Sequence, residues 1–240
     1  MRTSLASRLR TARLYLCTDA REEQGDLAEF LAAALSGGVD VVQIRQKKMS
    51  RAAELAALEV AREVAEPHQV IVCVNDSPSL AGAFSADMLH LGQTDGSARR
   101  ARRHLHEWAL VGRSTHAPDQ ADEAISDPEV DYFCVGPVYA TPTKPDYLPA
   151  GLDLVRYAAR VAPVADLDAK PWFAIGGIDL DTLDEVIEAG ARRVVVVRAI
   201  TEAADPRAAA EQLKNRLRAA WADDPALASY ALRAASAELR

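Results

Sequence analysis

Three short segments of this sequence carry polar and charged residues where chemistry, rather than packing, would use them. The run QIRQKK has Gln43, Arg45 and Lys47 at alternate positions, with Ile44, Gln46 and Lys48 between and after them. In an extended segment Gln43, Arg45 and Lys47 share one face. Such groups at the end of an apolar run make poor core residues, because an isolated buried charge is very costly. They suit recognition of an anion, or else the strand simply runs out into solvent. The segments VND and LGQTD add Asn75, Asp76 and Asp95. Two carboxylates beside cations suit Mg2+, which takes one or two carboxylates together with phosphate oxygens. The competing reading is helix capping, since each aspartate precedes a helical stretch and Asp is a common N-cap.

Later segments are of another kind. GRSTH offers Ser114 and His116, without a Ser/His/Asp arrangement for nucleophilic hydrolysis. VGPVYATPTKPDYLPAGLD, residues 135–153, holds four prolines and two glycines around a single lysine, Lys144, which follows Thr141-Pro142-Thr143. Prolines stiffen such a turn and reduce the entropy lost on ordering it. AIGGI supplies Gly176–Gly177 directly before a helix start, and VVVVRAI contains Val197 and Arg198. Backbone N–H groups at such places bind phosphate. The chain thus offers two anion-binding regions, one with carboxylates for a metal and one made mainly of backbone. That pattern suits a reaction joining two phosphorylated molecules.

These residues need a scaffold that gathers them. Eight short apolar runs recur along the chain: RLYLCTD, VDVVQIR, QVIVCVND, ADMLHLGQ, ALVGRST, DYFCVGP, PWFAIGG and RRVVVVRAI. Their apolar residues are nearly continuous, as in parallel strands buried on both faces. Stretches with helical spacing lie between most of them, among them 26–36, 52–66 and 180–189; the last has acids in its first turn and Gly190 as its stop. Alternation of this kind predicts an α/β fold, a single (β/α)8 TIM barrel whose site forms at the C-terminal strand ends. A doubly wound open sheet is the rival, but CTDAREEQGD lacks the Gly-rich first turn that such folds often carry. The barrel core is expected over residues 14–219, with a short N-terminal arm at 1–13 and a C-terminal helical tail at 220–240.

Composition narrows the function classes. With 240 residues, 49% hydrophobic and 26% charged, the chain has material for a sizeable core. A net charge of −7 argues against a general nucleic-acid binder, and no apolar stretch approaches a membrane span. Cys17, Cys73 and Cys134 each fall inside an apolar run, which reads as reduced core thiols in a cytoplasmic protein. MRTSLASRLRTAR has four arginines and no acid, a little like a transit peptide, but a strand follows directly, so it reads as an amphipathic arm.

Taken in order, QIRQK, VND, HLGQTD, STH, VGPVYATPTKPD, AIGGI and VVVVRAI resemble the motifs of the thiamine-phosphate synthase (thiamine-phosphate pyrophosphorylase) family, from roughly Leu14 to Ala199. The resemblance implies that the segment Gln43, Ile44, Arg45, Gln46 and Lys47, with Asn75, Ser114 and Lys144, holds a pyrimidine diphosphate. It implies that Asp76 and Asp95 hold Mg2+. Thr141, Pro142 and Thr143 would contact a thiazole phosphate, with Gly177, Val197 and Arg198 closing on its phosphate group. The implied activity is transfer of the pyrimidinylmethyl group to the thiazole, with release of pyrophosphate. Lys144, Arg45, Lys47 and Ser114 would act catalytically by stabilising charge that grows on the leaving group. The implied partners are these two small phosphorylated substrates, with no nucleic acid and no membrane, and a homo-oligomer is compatible.

Two positions depart from the family pattern: Gln46 stands where Glu is common, and Arg198 where Ser is often seen. Two rival functions remain in view. A thiazole tautomerase on the same barrel would use His116 as acid and base and need neither Mg2+ nor a diphosphate clamp. A phosphate-ligand sensor would bind without turnover. The combination of Arg45, Lys47, Asp76, Asp95 and Lys144 favours the synthase.

Overall fold

Each of the eight apolar runs contains a strand in the computed structural model, which describes residues 4–141, 148–230 and 233–234. The strands are β1 (Leu14–Thr18), β2 (Val41–Ile44), β3 (Ile71–Asn75), β4 (Met88–Leu91), β5 (Leu110–Thr115), β6 (Tyr132–Val135), β7 (Trp172–Ile175) and β8 (Val194–Val196). They pair in parallel in chain order, and β8 closes on β1, so the sheet is a closed barrel and not an open doubly wound one. Helix α1 (Leu5–Thr11) precedes β1. Helices α2 (Leu27–Ser36), α3 (Arg51–Ala65), α4 (Pro78–Phe84) and α5 (Ala98–Arg102) follow the first four strands. After β5, β6 and β7 come α6 (Pro118–Ser126), α7 (Gly151–Val161) and α8 (Leu183–Glu188). Two helices, α9 (Arg198–Thr201) and α10 (Pro206–Ala222), follow β8.

Strand side chains alternate between two apolar regions, as the pleat requires. Leu16, Val42, Val74, Leu89 and Val111 point outward and pack with the helices in the main core. Tyr15, Val41, Ile71, Met88 and Phe173 point inward and fill the barrel, where Leu9 of α1 joins them. Each large apolar side chain buried in this way contributes about 1.5–3 kcal/mol. Because both regions are apolar, the strands had to read as continuous hydrophobic runs. At the N-terminal end Asp40 accepts the Arg13 and Leu14 N–H groups at 2.7 and 2.9 Å and pairs with buried Lys214 of α10. That contact ties the last long helix to the start of the first strand.

Three helix starts bear on the site. Ser50, Ser77 and Ser97 are N-caps whose side chains accept from Ala53, Leu80 and Arg100 N–H. The helix-capping reading of Asp76 and Asp95 is therefore corrected: a serine one or two residues further on fills that role each time. Helix α8 also begins at Leu183 rather than near 180. The Asp179 side chain first accepts the N–H groups of Asp181 and Thr182, each at 3.1 Å, which holds those residues in a turn.

Candidate active site

The C-terminal strand ends open onto a cavity of about 480 Å³. Of the residues expected at a site, Gln43, Arg45, Lys47, Asn75, Asp76, Asp95, Ser114, Thr141, Gly177, Val197 and Arg198 all line it, and so does His116. The side chains of Ile44 and Gln46 are not among those that line it. Ile44 alternates outward and is fully buried in the main core. The Gln46 amide is bonded to the β1–α2 loop, accepting Ala20 N–H at 2.9 Å and donating to Glu22. Pro142, Thr143 and Lys144 lie outside the described residues.

The cluster on β2 divides into two levels. Gln43 faces into the barrel, 5% exposed, donating through Nε2 to the Tyr15 hydroxyl at 2.8 Å and accepting from Cys17 Sγ at 3.3 Å. It therefore forms the cavity floor. Arg45 and Lys47 follow the strand end, half-buried and exposed respectively, so their charges keep access to solvent. They form the rim.

Asp76 follows β3 in the left-handed region at φ 58°, its N–H donating to His90 C=O at 2.8 Å. Asp residues tolerate that conformation better than most. Desolvation, then the adjoining Asp95 carboxyl, pushes Asp76 up to about 6, with Asn75 and Arg45 opposing the shift. Asp95 accepts Gly92 N–H at 2.7 Å, and Arg113 holds the end of the same loop through Gly96 C=O at 2.7 Å. A carboxylate whose ionisation a crowding neighbour makes costlier is part of a donor set that a divalent cation would relieve. Among the described residues no group of three His, Cys, Asp or Glu side chains comes together. The protein offers a cation two carboxylates, a set that fits Mg2+ completed by substrate oxygens and water.

Across the cavity Gly176 and Gly177 both have positive φ, 107° and 67°. A Cβ on Gly176 would stand 2.5 Å from Pro137 Cα, and one on Gly177 2.7 Å from Tyr139 Cβ. The glycine pair thus lets the β7 end lie directly against the 137–139 segment, which leads into Thr141. Val197 is the N-cap of α9, and Arg198 begins it, so the first N–H groups of that turn have no intrahelical acceptor. The Arg198 side chain lines the cavity without a hydrogen bond or ion pair to another described residue. His116 also lines the cavity, its Nδ1 bonded to Gly136 C=O and its N–H to Gln120. A carbonyl only accepts, so Nδ1 carries the proton there.

Reasoning from sequence missed Cys17, His90 and Cys134, which enter the cavity from inside the barrel, and Gln93 of the loop after β4. His90 is 8% exposed and bridges the Tyr132 hydroxyl and Ser114 Oγ, both at 2.9 Å. Its place two residues after inward-facing Met88 was the available signal. All three cysteines are buried thiols, none of them in a disulfide.

Comparison with known proteins fits this site. A sequence model described as thiamine monophosphate synthase matches residues 14–200. The thiamine-phosphate synthase of Thermobifida fusca is 57% identical over 222 residues, covering 92% of this chain and all of that one. That of Streptomyces avermitilis is 56% identical, covering 88% of this chain and 96% of its own. A solved structure, the thiamine phosphate pyrophosphorylase from Pyrococcus furiosus, superposes with a TM-score of 0.74 at 27% identity, covering 89% of this chain and 98% of that one. The match runs from β1 through the first turn of α9 and so takes in every strand end described above; the chain belongs to the thiamine monophosphate synthase family.

Proposed function

We propose that this chain is a thiamine-phosphate synthase. It couples 4-amino-2-methyl-5-pyrimidinylmethyl diphosphate with a thiazole phosphate, giving thiamine phosphate and pyrophosphate in thiamine diphosphate biosynthesis. The observation that carries this reading is a single cavity with Arg45, Lys47 and the Asp76/Asp95 pair on one side and Gly177 and Arg198 on the other. One cavity with two anion-binding walls suits two phosphorylated substrates.

In the reaction the thiazole nitrogen forms a bond to the pyrimidine methylene carbon while the carbon–oxygen bond to diphosphate breaks. The bonding pair leaves with pyrophosphate. No protein nucleophile or general base is required, so the residues act by alignment and by electrostatics. Gln43 meets the pyrimidine-diphosphate end from the floor. Arg45 and Lys47 face the diphosphate, with the Ser114 hydroxyl as a neutral donor and Lys144, by family resemblance, as a third cation. Asp76 and Asp95 would hold Mg2+, which when bound supplies further positive charge to the diphosphate oxygens. Thr141 and the glycine-supported wall receive the thiazole phosphate, where Gly177, Val197 and Arg198 offer N–H groups and a guanidinium. Three buried thiols outside any disulfide support a reducing compartment, and we assign the protein to the cytoplasm. No helix among the described residues is long and apolar enough to cross a membrane.

Two variants separate this reading from the tautomerase. Losing one preorganised contact to developing charge typically costs about 10²–10³ in kcat, and Lys144→Ala is expected to show such a loss at saturating substrate while remaining folded. His116 has no proton to move in a displacement at carbon, so His116→Ala should change the rate modestly. A dead His116→Ala beside a healthy Lys144→Ala would overturn the proposal.

A further inference from the structure

The barrel interior beneath the cavity holds a chain of hydrogen bonds that ends on Ser114 and whose inner members, His90 and Tyr132, the reaction as written does not use. Strand register brings Asn75, His90, Gly112 and Tyr132 side by side on β3 to β6. Side chains on β4 and β6 would ordinarily be kept apart by the residue on β5 between them. Here that residue is Gly112, and the Tyr132 ring occupies its place: a Cβ on Gly112 would fall 2.0 Å from Tyr132 Cζ. Tyr132 is fully buried, and across the gap its hydroxyl meets His90 Nδ1 at 2.9 Å. His90 Nε2 meets Ser114 Oγ at 2.9 Å, and Ser114 lines the cavity.

The direction of donation along this chain follows from its buried end. Gln43 Oε1 faces the Cys17 thiol, so Nε2 is the atom that donates to Tyr15. The Tyr15 hydroxyl accepts there, which leaves the donation toward His90 to be settled at Tyr132. Burial raises the Tyr132 phenol well above its ordinary value, so it keeps its proton. That proton has a nearer partner in His90 Nδ1, at 2.9 Å, than in the Cys73 sulfur, 3.9 Å away. A buried hydroxyl hydrogen left unbonded is costly. Nδ1 of neutral His90 is therefore the acceptor and Nε2 the donor, to Ser114 Oγ. Ser114 then has its own hydrogen left to offer to the cavity.

We propose that Tyr132 is a positioning residue that fixes the His90 tautomer, so that the Ser114 hydroxyl is held as a hydrogen-bond donor toward the anionic leaving group. This rests on the proposed coupling reaction for its consequence, though not for the tautomer itself. Reversed polarity would turn the Ser114 hydrogen back onto His90 and present only oxygen lone pairs to a diphosphate.

The test combines 15N NMR of the histidine rings with kinetics. Wild-type protein labelled at histidine, with His90 assigned by loss of its signals in His90→Asn, should show the Nε2–H tautomer. Tyr132→Phe removes the hydroxyl and keeps the ring; it should shift His90 toward Nδ1–H and lower kcat about tenfold to a hundredfold, the range for a hydrogen bond to a charged group. Ser114→Ala should lower kcat similarly, and the double variant should be no worse than Ser114→Ala alone. An Nδ1–H tautomer in wild type, an unchanged kcat in folded Tyr132→Phe, or losses that multiply in the double variant would each overturn the proposal. If Tyr132→Phe fails to fold, the wild-type tautomer still decides. If wild type makes no thiamine phosphate, the coupling reading fails, and the NMR arm decides the tautomer separately.

Discussion

Gly112→Ala tests whether the barrel interior is built around one missing side chain. The added Cβ would stand 2.0, 2.2 and 2.4 Å from Tyr132 Cζ, Cε1 and hydroxyl oxygen. Real contacts at that position need well over 3 Å, so the ring would have to move by more than an ångström-scale adjustment of one rotamer. It has little room to do so. Phe173 packs edge-on against it with centroids 6.0 Å apart, and its hydroxyl is held by His90 at 2.9 Å. Gly112 is absent from the positive-φ positions, so the backbone itself would accept alanine and the cost is steric. Overpacking of a filled core costs about 1–3 kcal/mol. Urea unfolding of Gly112→Ala should show a loss in that range at an unchanged m-value. Tyr132→Leu should be destabilising alone, and the pair should cost less than the two single changes added, with a coupling of about 0.5–3 kcal/mol. A Gly112→Ala protein within about 0.5 kcal/mol of wild type, or a strictly additive pair, would refute the packing argument.

Two further outcomes concern the cavity walls. Asp76, pushed up to about 6, favours the metal-free fold most when protonated: that contribution is complete below its ordinary 3.8 and is lost as pH rises through about 6. Asp76 is exposed at the mouth, so solvent screening keeps the effect on stability small. Mg2+ has the opposite sign, because it needs the ionised carboxylate. The Mg2+ concentration for half-maximal rate should rise about tenfold at pH 5 relative to pH 7, and Asp95→Asn should raise it at both; full activity in excess chelator would contradict this. Arg198→Ala should raise the KM for the thiazole phosphate about tenfold and spare that for the pyrimidine diphosphate; titrating each substrate separately decides whether only backbone N–H groups matter there.

The fold was legible because both faces of a closed parallel barrel are apolar. Every strand had to appear as a continuous hydrophobic run, and the strand ends had to be where polar residues begin. That is why Arg45, Asp76, Asp95, Ser114 and Arg198 could be assigned to one rim from spacing and family motifs alone. The side-chain directions of Ile44 and Gln46 are less legible: alternation turns Ile44 outward, and Gln46 depends on a contact with Glu22 across another loop. The role of Ser77 and Ser97 as caps was hidden because Asp and Ser stand close together and either can serve. His90, Tyr132 and Gly112 were out of reach for a deeper reason. Their meeting depends on register across three strands, and no local pattern in MLHL, LVGRST or YFCV encodes it.

The central claim is that one cavity brings a pyrimidine diphosphate and a thiazole phosphate together. Its most direct test is to incubate the purified protein with both substrates and Mg2+ and follow thiamine phosphate and pyrophosphate together. Equal amounts of the two products, formed only when both substrates are present, is the expected result. Isomerised thiazole phosphate with no pyrophosphate, or binding of both substrates without product, would contradict it.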